Sequence, residues 1–252
     1  MQGYRSLYSS MSNQNDQKTL IDIRGFLETS FIDWDGKVVS VVFVAGCNMR
    51  CPFCHNAPLV TRPQTLKQFS TEEIEAFMLE RKDFIDGLCI TGGEPTLHKN
   101  LPAFIKHFKD LGFLIKLDTN GTNPEMLKKL IDQKLVNFVA MDFKAPLDER
   151  YEKATGVKVD LAKIKKCVDL LISSGIDHEF RLTVVPGLIS EKEIEAIGPA
   201  LKGAKKLALQ QFVPENCLDE SYTKIKPYEK DKLLSYQLTL KQYVHNTILR
   251  GA

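Results

Sequence analysis

The chain lacks any long apolar run. Its longest, residues 38–47, falls far short of the roughly 20 residues a membrane-spanning helix needs. No sign of charge dominates either. Lys and Arg number 34 against 32 Asp and Glu, a formal net charge of +2. That balance leaves no electrostatic footprint for nucleic acid or for an anionic membrane, and neither is an expected partner. The opening residues, MQGYRSLYSSMSNQNDQK, contain no apolar signal core. They read as a disordered lead-in over residues 1–20, with a single domain from 21 to 252 and a cytoplasmic location. Repeats, low-complexity stretches and domain-sized linkers are absent.

Cysteine is scarce and uneven. Of six cysteines, three crowd between positions 47 and 54, while Cys89, Cys167 and Cys217 are scattered. A chain of 252 residues, 43% of them hydrophobic, can build a core without disulfides. A tight cysteine cluster in a cytosolic protein reads as metal binding. Cys89 lies in an apolar run and is expected in the core.

What remains is an alternation of strands and helices. Residues 25–34 read as a strand, Asp35-Gly36 as a hairpin turn, and 37–45 (KVVSVVFVA) as a buried strand. Ser70-Thr71-Glu72-Glu73 is a capping box that opens a helix through about Lys82. Strands follow at 87–91, 113–117, 136–141, 180–185 and 206–212. Helices are expected at 101–111, from Asn123-Pro124, at 160–173 and at 191–201, with a long closing helix over 227–248. Such alternation implies a parallel sheet covered by helices, open or partly barrelled. Ligand sites then form beyond the carboxyl ends of the strands. The informative loops fall at that edge: 47–56, 92–96, 118–122, 142–146 and 186–187.

The loop GCNMRCPFCHN spaces Cys47, Cys51 and Cys54 by three residues and then two. Soft thiolates at that spacing suit an iron–sulfur cubane, and three of them leave one iron open for a ligand. On spacing alone, zinc held by these cysteines and His55 stays an alternative. Gly92-Gly93-Glu94-Pro95 lets backbone approach a ligand, or is only a turn. Asp118-Thr119-Asn120-Gly121 carries the commonest tight-turn signal. In Asp142-Phe143-Lys144 the lysine either meets a ligand carboxylate or hydroxyl, or is solvated. Asp118 and Asp142, at neighbouring strand ends, would bind ligand hydroxyls or share a cation. Arg181, inside an apolar strand, needs a partner if it points inward.

Taken in order, these pieces resemble the radical S-adenosylmethionine superfamily over residues 25–212. Phe53 matches the aromatic residue common before the last cysteine. Within the superfamily the pattern is most similar to the glycyl-radical-enzyme activases. The shared pieces are Asp-Gly before the cluster loop, Cys54-His55-Asn56, Asp-Thr-Asn-Gly, Asp-x-Lys and a strand ending Val-Val-Pro-Gly. Among the activases it looks like the small activating proteins of anaerobic ribonucleoside-triphosphate reductase.

The resemblance implies an α/β fold, a partial (β/α)6 barrel with a short N-terminal hairpin. It implies a 4Fe–4S cluster on Cys47, Cys51 and Cys54, and a monovalent cation is a further candidate cofactor. S-adenosylmethionine would meet Phe53, Cys54, His55, Gly92, Gly93, Glu94, Asp118, Asp142, Phe143, Lys144 and Arg181. The implied partners are a glycyl-radical enzyme, with anaerobic ribonucleotide reductase the candidate, and a reduced ferredoxin or flavodoxin. The cofactor does the hard chemistry, so no side chain is nominated as acid or base. Two departures stand out. No ferredoxin-like cysteines follow the cluster loop, and the last strand, LALQQFVPEN, lacks the histidine some activases place there. The alternative is a radical enzyme that modifies a small molecule or an RNA base.

Overall fold

The computed structural model describes residues 20–251. The expected lead-in therefore lies, but for Leu20, outside the described residues. β1 (Ile23–Ser30) and β2 (Val39–Val44) form the antiparallel N-terminal hairpin. β1 stops at Ser30, short of the expected Trp34. The Ser30 hydroxyl accepts the backbone N–H groups of Ile32 and Asp33 and donates to Asp33 Oδ2 at 2.6 Å. This local turn outcompetes the ladder.

Then follow α1 (Ala57–Thr61), α2 (Thr71–Glu80), β3 (Gly87–Gly92), α3 (Leu101–Asp110), β4 (Leu114–Thr119) and α4 (Pro124–Asp132). Next come β5 (Phe138–Asp142), α5 (Arg150–Thr155), α6 (Leu161–Ser173), β6 (Asp177–Val184) and α7 (Glu191–Ala200). β7 (Leu207–Gln211), α8 (Lys230–Lys241) and β8 (Thr247–Arg250) complete the described chain. α2 opens with the expected capping box, Ser70 and Glu73 each taking the other's backbone N–H. α1 and α5 escape sequence periodicity because five or six residues give too few turns to show a face.

The strands stand in sequence order from β1 to β8, and every ladder after the first hairpin is parallel. The expected closing helix over 227–248 is thus two elements. α8 ends at Lys241, and the β-branched pair Thr247-Ile248 instead adds a strand to the free edge of β7. The sheet curls. Asp35, in the β1–β2 loop, reaches Arg250 Nη2 of β8 at 3.1 Å and also Lys206. The hairpin loop therefore plugs the bottom of a partial barrel.

Period-two alternation divides each strand between two environments. Outward residues such as Val42, Ile90, Leu117, Val139 and Leu182 are buried beneath the helices. Each such side chain contributes about 1.5–3 kcal/mol by burial. Inward, a small apolar cluster of Val39, Val41 and Cys89 packs on Trp34 and Phe43. Elsewhere the lumen carries many charged side chains. Its lower chamber, about 50 Å³, is lined by Trp34, Phe138 and ionisable side chains including Glu179, Lys206 and Arg250.

Glu179 is buried at 2% exposure, held by Arg250 Nη1 at 2.7 Å and with Lys206 Nζ 3.5 Å away. Arg250→Met removes the closer cation. Stability should fall by about 2 kcal/mol, less than the roughly 3–5 kcal/mol for a wholly orphaned buried charge, because Lys206 remains. Urea unfolding of both proteins checks this; an unchanged midpoint would show that Lys206 alone suffices.

Candidate active site

The cluster loop leaves β2 at the carboxyl edge of the sheet and is fastened from several sides. Gly46 N–H donates to Leu59 O of α1 at 2.9 Å, and Arg50 N–H to Thr155 O of α5 at 2.8 Å. Asp219 N–H, beyond β7, donates to Pro52 O at 2.9 Å. His55 Nε2 lies 2.8 Å from the Val213 carbonyl, and so donates to it. This bond fixes the tautomer and commits Nε2 to the loop rather than to a metal.

Cys47, Cys51 and Cys54 line one cavity of about 440 Å³ at the barrel mouth. Burial pushes the Cys47 thiol up and the Cys51 thiol up to about 11. N–H groups already face one sulfur: Met49 N lies 3.4 Å and Asn120 Nδ2 3.8 Å from Cys47 Sγ. Buried thiols with donors aimed at them suit thiolates bound to soft metal. Among the described residues no three His, Cys, Asp or Glu side chains converge as ligands to one ion. A cubane asks for something else, one thiolate on each of three irons.

The Gly92-Gly93 turn packs against this loop. Gly92 has φ +113°, and a Cβ on it would meet Val44 N at 2.5 Å. A Cβ on Gly93 would lie 1.8 Å from Gly46 O. Gly92 is thus required by contact with the end of β2, and Gly93 by contact with the start of the cluster loop, before any ligand is considered. Both line the cavity.

Glu94 does not line it. Its carboxylate is 1% exposed and accepts from Thr96 N at 3.0 Å, Thr119 Oγ1 at 2.8 Å and Asn120 N at 2.6 Å. Burial raises its pKa while these donors oppose the rise. Its side chain clamps the turn after β3 to the turn after β4. Phe143 is also fully buried, its ring edge-on to Tyr151, beneath the cavity rather than facing it. Phe53, Cys54, His55, Asp118, Asp142, Lys144 and Arg181 all reach the cavity; the 186–187 loop does not.

Arg181 points inward. Its Nη1 donates to Asp118 Oδ2 at 2.7 Å and its Nε to Asp142 Oδ1 at 2.8 Å. The bridging cation expected between the two carboxylates is therefore a guanidinium. Lys144 Nζ donates to Asp142 Oδ2 at 3.0 Å and sits 5.8 Å from the Phe53 ring centre. Lys116 donates to Asp118 Oδ1 from below. Burial opposes ionisation of Asp118 and Asp142, but the neighbouring cations outweigh it and hold both below the usual carboxylate range. Sequence reasoning missed Asn120, Thr183 and Gln210, which also line the cavity. Two steps separate Thr183 from Arg181, and strand alternation could have revealed it.

Fold and site together define a partial-barrel enzyme with a three-thiol mouth. Residues 41–197 match the model of the Radical SAM superfamily, and the chain belongs to that family. A Methanocaldococcus jannaschii protein described as a glycyl-radical-enzyme activating enzyme is 34% identical over 235 residues, 90% of this chain and 95% of its own. The pyruvate formate-lyase-activating enzyme of Clostridium pasteurianum is 28% identical, covering 76% of this chain and 79% of its own. The structure of QueE from Escherichia coli superposes with a TM-score of 0.54 at 15% identity, covering 91% of this chain and 93% of that one. The enzyme accordingly works with a 4Fe–4S cluster and S-adenosylmethionine, and its chemistry begins with radical generation from that cofactor.

Two expectations follow. Gly93→Ala places a methyl group on the Gly46 carbonyl, so iron uptake on anaerobic reconstitution should fall together with S-adenosylmethionine binding. Normal iron content with only the ligand lost would mean the loop had yielded. The second concerns the metal-free protein. Alkylation of Cys51 by iodoacetamide should keep rising tenfold per pH unit past pH 9, levelling near 11. At pH 8 its thiolate fraction should be about four thousandths of an ordinary thiol's. A plateau near pH 9 would refute this.

Proposed function

We propose that this enzyme makes a glycyl radical on a partner protein, with the cluster held by Cys47, Cys51 and Cys54 and S-adenosylmethionine bound in the cavity beside it. Bound there, the cluster and S-adenosylmethionine would together supply a hydrogen-abstracting radical, one electron passing to the sulfonium with loss of methionine and one hydrogen atom leaving a glycine Cα of the partner to give 5′-deoxyadenosine. The chain's own work is binding and exclusion of water. The backbone around Gly92 and Gly93 receives the amino group of the cofactor. Lys144 and Arg181 present positive charge to its carboxylate. Asp118 and Asp142, besides orienting these cations, offer oxygens to its hydroxyls. Glu94 acts through the turns it joins, and Phe143 through the packing beneath Lys144.

The observation that carries the reading is the shape of the mouth. A cavity of about 440 Å³ suits a cofactor of this size, since drug-sized ligands occupy about 300–1,000 Å³. The substrate must then enter from outside. No described residue after Gln210 lines the cavity, because the segment after β7 lies along the outer flank of the cluster loop. A protein loop can enter such a mouth and serve as its own lid. The similarity to activating enzymes supports the same choice. A reduced ferredoxin or flavodoxin is the proposed electron donor. The proposed compartment is the cytoplasm, which suits six unpaired cysteines. Anaerobic ribonucleotide reductase is the first partner to try.

The test is anaerobic mixing of reconstituted, reduced enzyme with S-adenosylmethionine and a candidate partner. A glycyl doublet should appear on the partner by electron paramagnetic resonance, with 5′-deoxyadenosine in step. Cys47→Ala, Cys51→Ala and Cys54→Ala should each abolish cofactor cleavage. Lys144→Ala should keep its iron but bind S-adenosylmethionine about tenfold more weakly, the loss of one charged hydrogen bond. If 5′-deoxyadenosine forms rapidly only with a small molecule or RNA, the activase reading fails and the radical chemistry stands.

A further inference from the structure

We propose that Lys116 is a cation built into the chain: its ammonium occupies the position an alkali ion would take against Asp118, so S-adenosylmethionine binding needs neither sodium nor potassium. The inference rests on the reading of the upper cavity as the cofactor site.

Asp118 and Asp142 enter one lumen from adjacent strands, β4 and β5. Two carboxylates so placed need positive charge between them. Their four oxygens can be followed one by one. Arg181 takes Oδ2 of Asp118 at 2.7 Å and Oδ1 of Asp142 at 2.8 Å. Lys144 takes Oδ2 of Asp142 at 3.0 Å. One oxygen remains, Oδ1 of Asp118, and Lys116 donates to it. Every oxygen therefore already has a cationic donor, and an ion bound here would have to share each oxygen with an ammonium or guanidinium.

Lys116 is placed for this and nothing else the reaction uses. It is 2% exposed and lines the lower chamber, not the upper cavity. Its side chain rises from beneath Asp118, two residues along the same inward face, with Cys89 Sγ 3.7 Å from its nitrogen. Around the two chambers together, five carboxylates (Asp33, Asp35, Asp118, Asp142 and Glu179) meet five cations (Lys116, Lys144, Arg181, Lys206 and Arg250). An added alkali ion would break that balance in a medium where uncompensated charge is costly. Removing the Lys116 ammonium would create the opposite fault, a buried carboxylate oxygen without its donor. A small cation could then bind there.

The experiment measures S-adenosylmethionine affinity of the reconstituted enzyme by calorimetry in tetramethylammonium, sodium or potassium chloride at equal ionic strength. Wild type should bind equally, within twofold, in all three. Lys116→Met should bind at least about fivefold more weakly in tetramethylammonium, with recovery in sodium or potassium, the scale of an ordinary effector coupling. Lys116→Arg, which keeps a cation, should show no alkali dependence. A purely structural lysine would not create such a dependence. Stronger binding by wild type in sodium or potassium would overturn the proposal, and so would a Lys116→Met protein indifferent to the salt. Should Lys116→Met fail to fold, the wild-type series decides alone. Absence of S-adenosylmethionine binding in every salt would overturn the reading of the cavity itself, a result distinct from alkali dependence.

Discussion

The structure depends on keeping charge inside a barrel. Strand alternation sends one residue in two outward into an apolar layer and the other into the lumen, where water is scarce. In most small barrels the lumen residues are apolar. Here β4, β5 and β6 each deliver ionisable groups inward: Lys116 and Asp118, Asp142, and Glu179 with Arg181. Each has a partner of opposite sign: Lys116 has Asp118 two residues along β4, Asp118 and Asp142 have Arg181 of β6, and Glu179 has Arg250 of β8. Arg181 is central, since one planar guanidinium spans the ends of three strands through Asp118 and Asp142. A lysine would bring a single nitrogen to the two carboxylates in place of a rigid fork. Sheet curvature and the charge network therefore support one another: the pairs need the curl, and the curl would enclose bare charge without the pairs.

The same constraint explains the hairpin. A barrel wall that stops at β8 leaves its lower end open to water, which would weaken every pair above it. The β1–β2 loop fills that end. Trp34 packs on Phe138 with ring centres 5.8 Å apart, and Asp35 binds Arg250 and Lys206. What reads in the sequence as a simple turn is the floor of the lumen. The turn centred on Ser30 matters for the same reason, since a strand continued to Trp34 would carry the ring away from the barrel.

Much of this was legible. Inward and outward faces follow from the β-branched runs, and the capping box and Asn-Pro signals marked helix starts within a residue or two. The three cysteines, and the charged residues at strand ends, were found from residue type and spacing, because soft ligands and buried ions are conspicuous against an apolar strand. Glu94 was legible as a residue but not as a role. Sequence placed it facing a ligand, whereas four hydrogen bonds from Thr96, Thr119 and Asn120 turn its carboxylate into the protein. Such a clamp depends on contacts 25 residues apart, which no local pattern carries. β8 was lost for a similar reason: a strand that pairs with a distant edge looks, in isolation, like the tail of the helix before it. Lys116 was missed because a lysine in a strand ordinarily reads as solvated.

The cysteine loop is fastened to several elements of the fold. An electron passed to a bound cofactor calls for fixed distances more than for proton transfer. The loop meets that need through four separate attachments, to α1, to α5, to the segment after β7 and to the Gly92-Gly93 turn. Asn120 adds a fifth, donating to Asn48 Oδ1 at 2.8 Å while facing Cys47 Sγ. Glu94 binds the backbone of that same Asn120 at 2.6 Å, and its own N–H donates to Gly46 O at 2.8 Å. Glu94 thus ties together the turn after β3 and the turn after β4 through its carboxylate, and the start of the cysteine loop through its backbone N–H. A shift in any of the three would be felt at the sulfurs, so the geometry of the thiols depends on Glu94, whose side chain does not line the cavity.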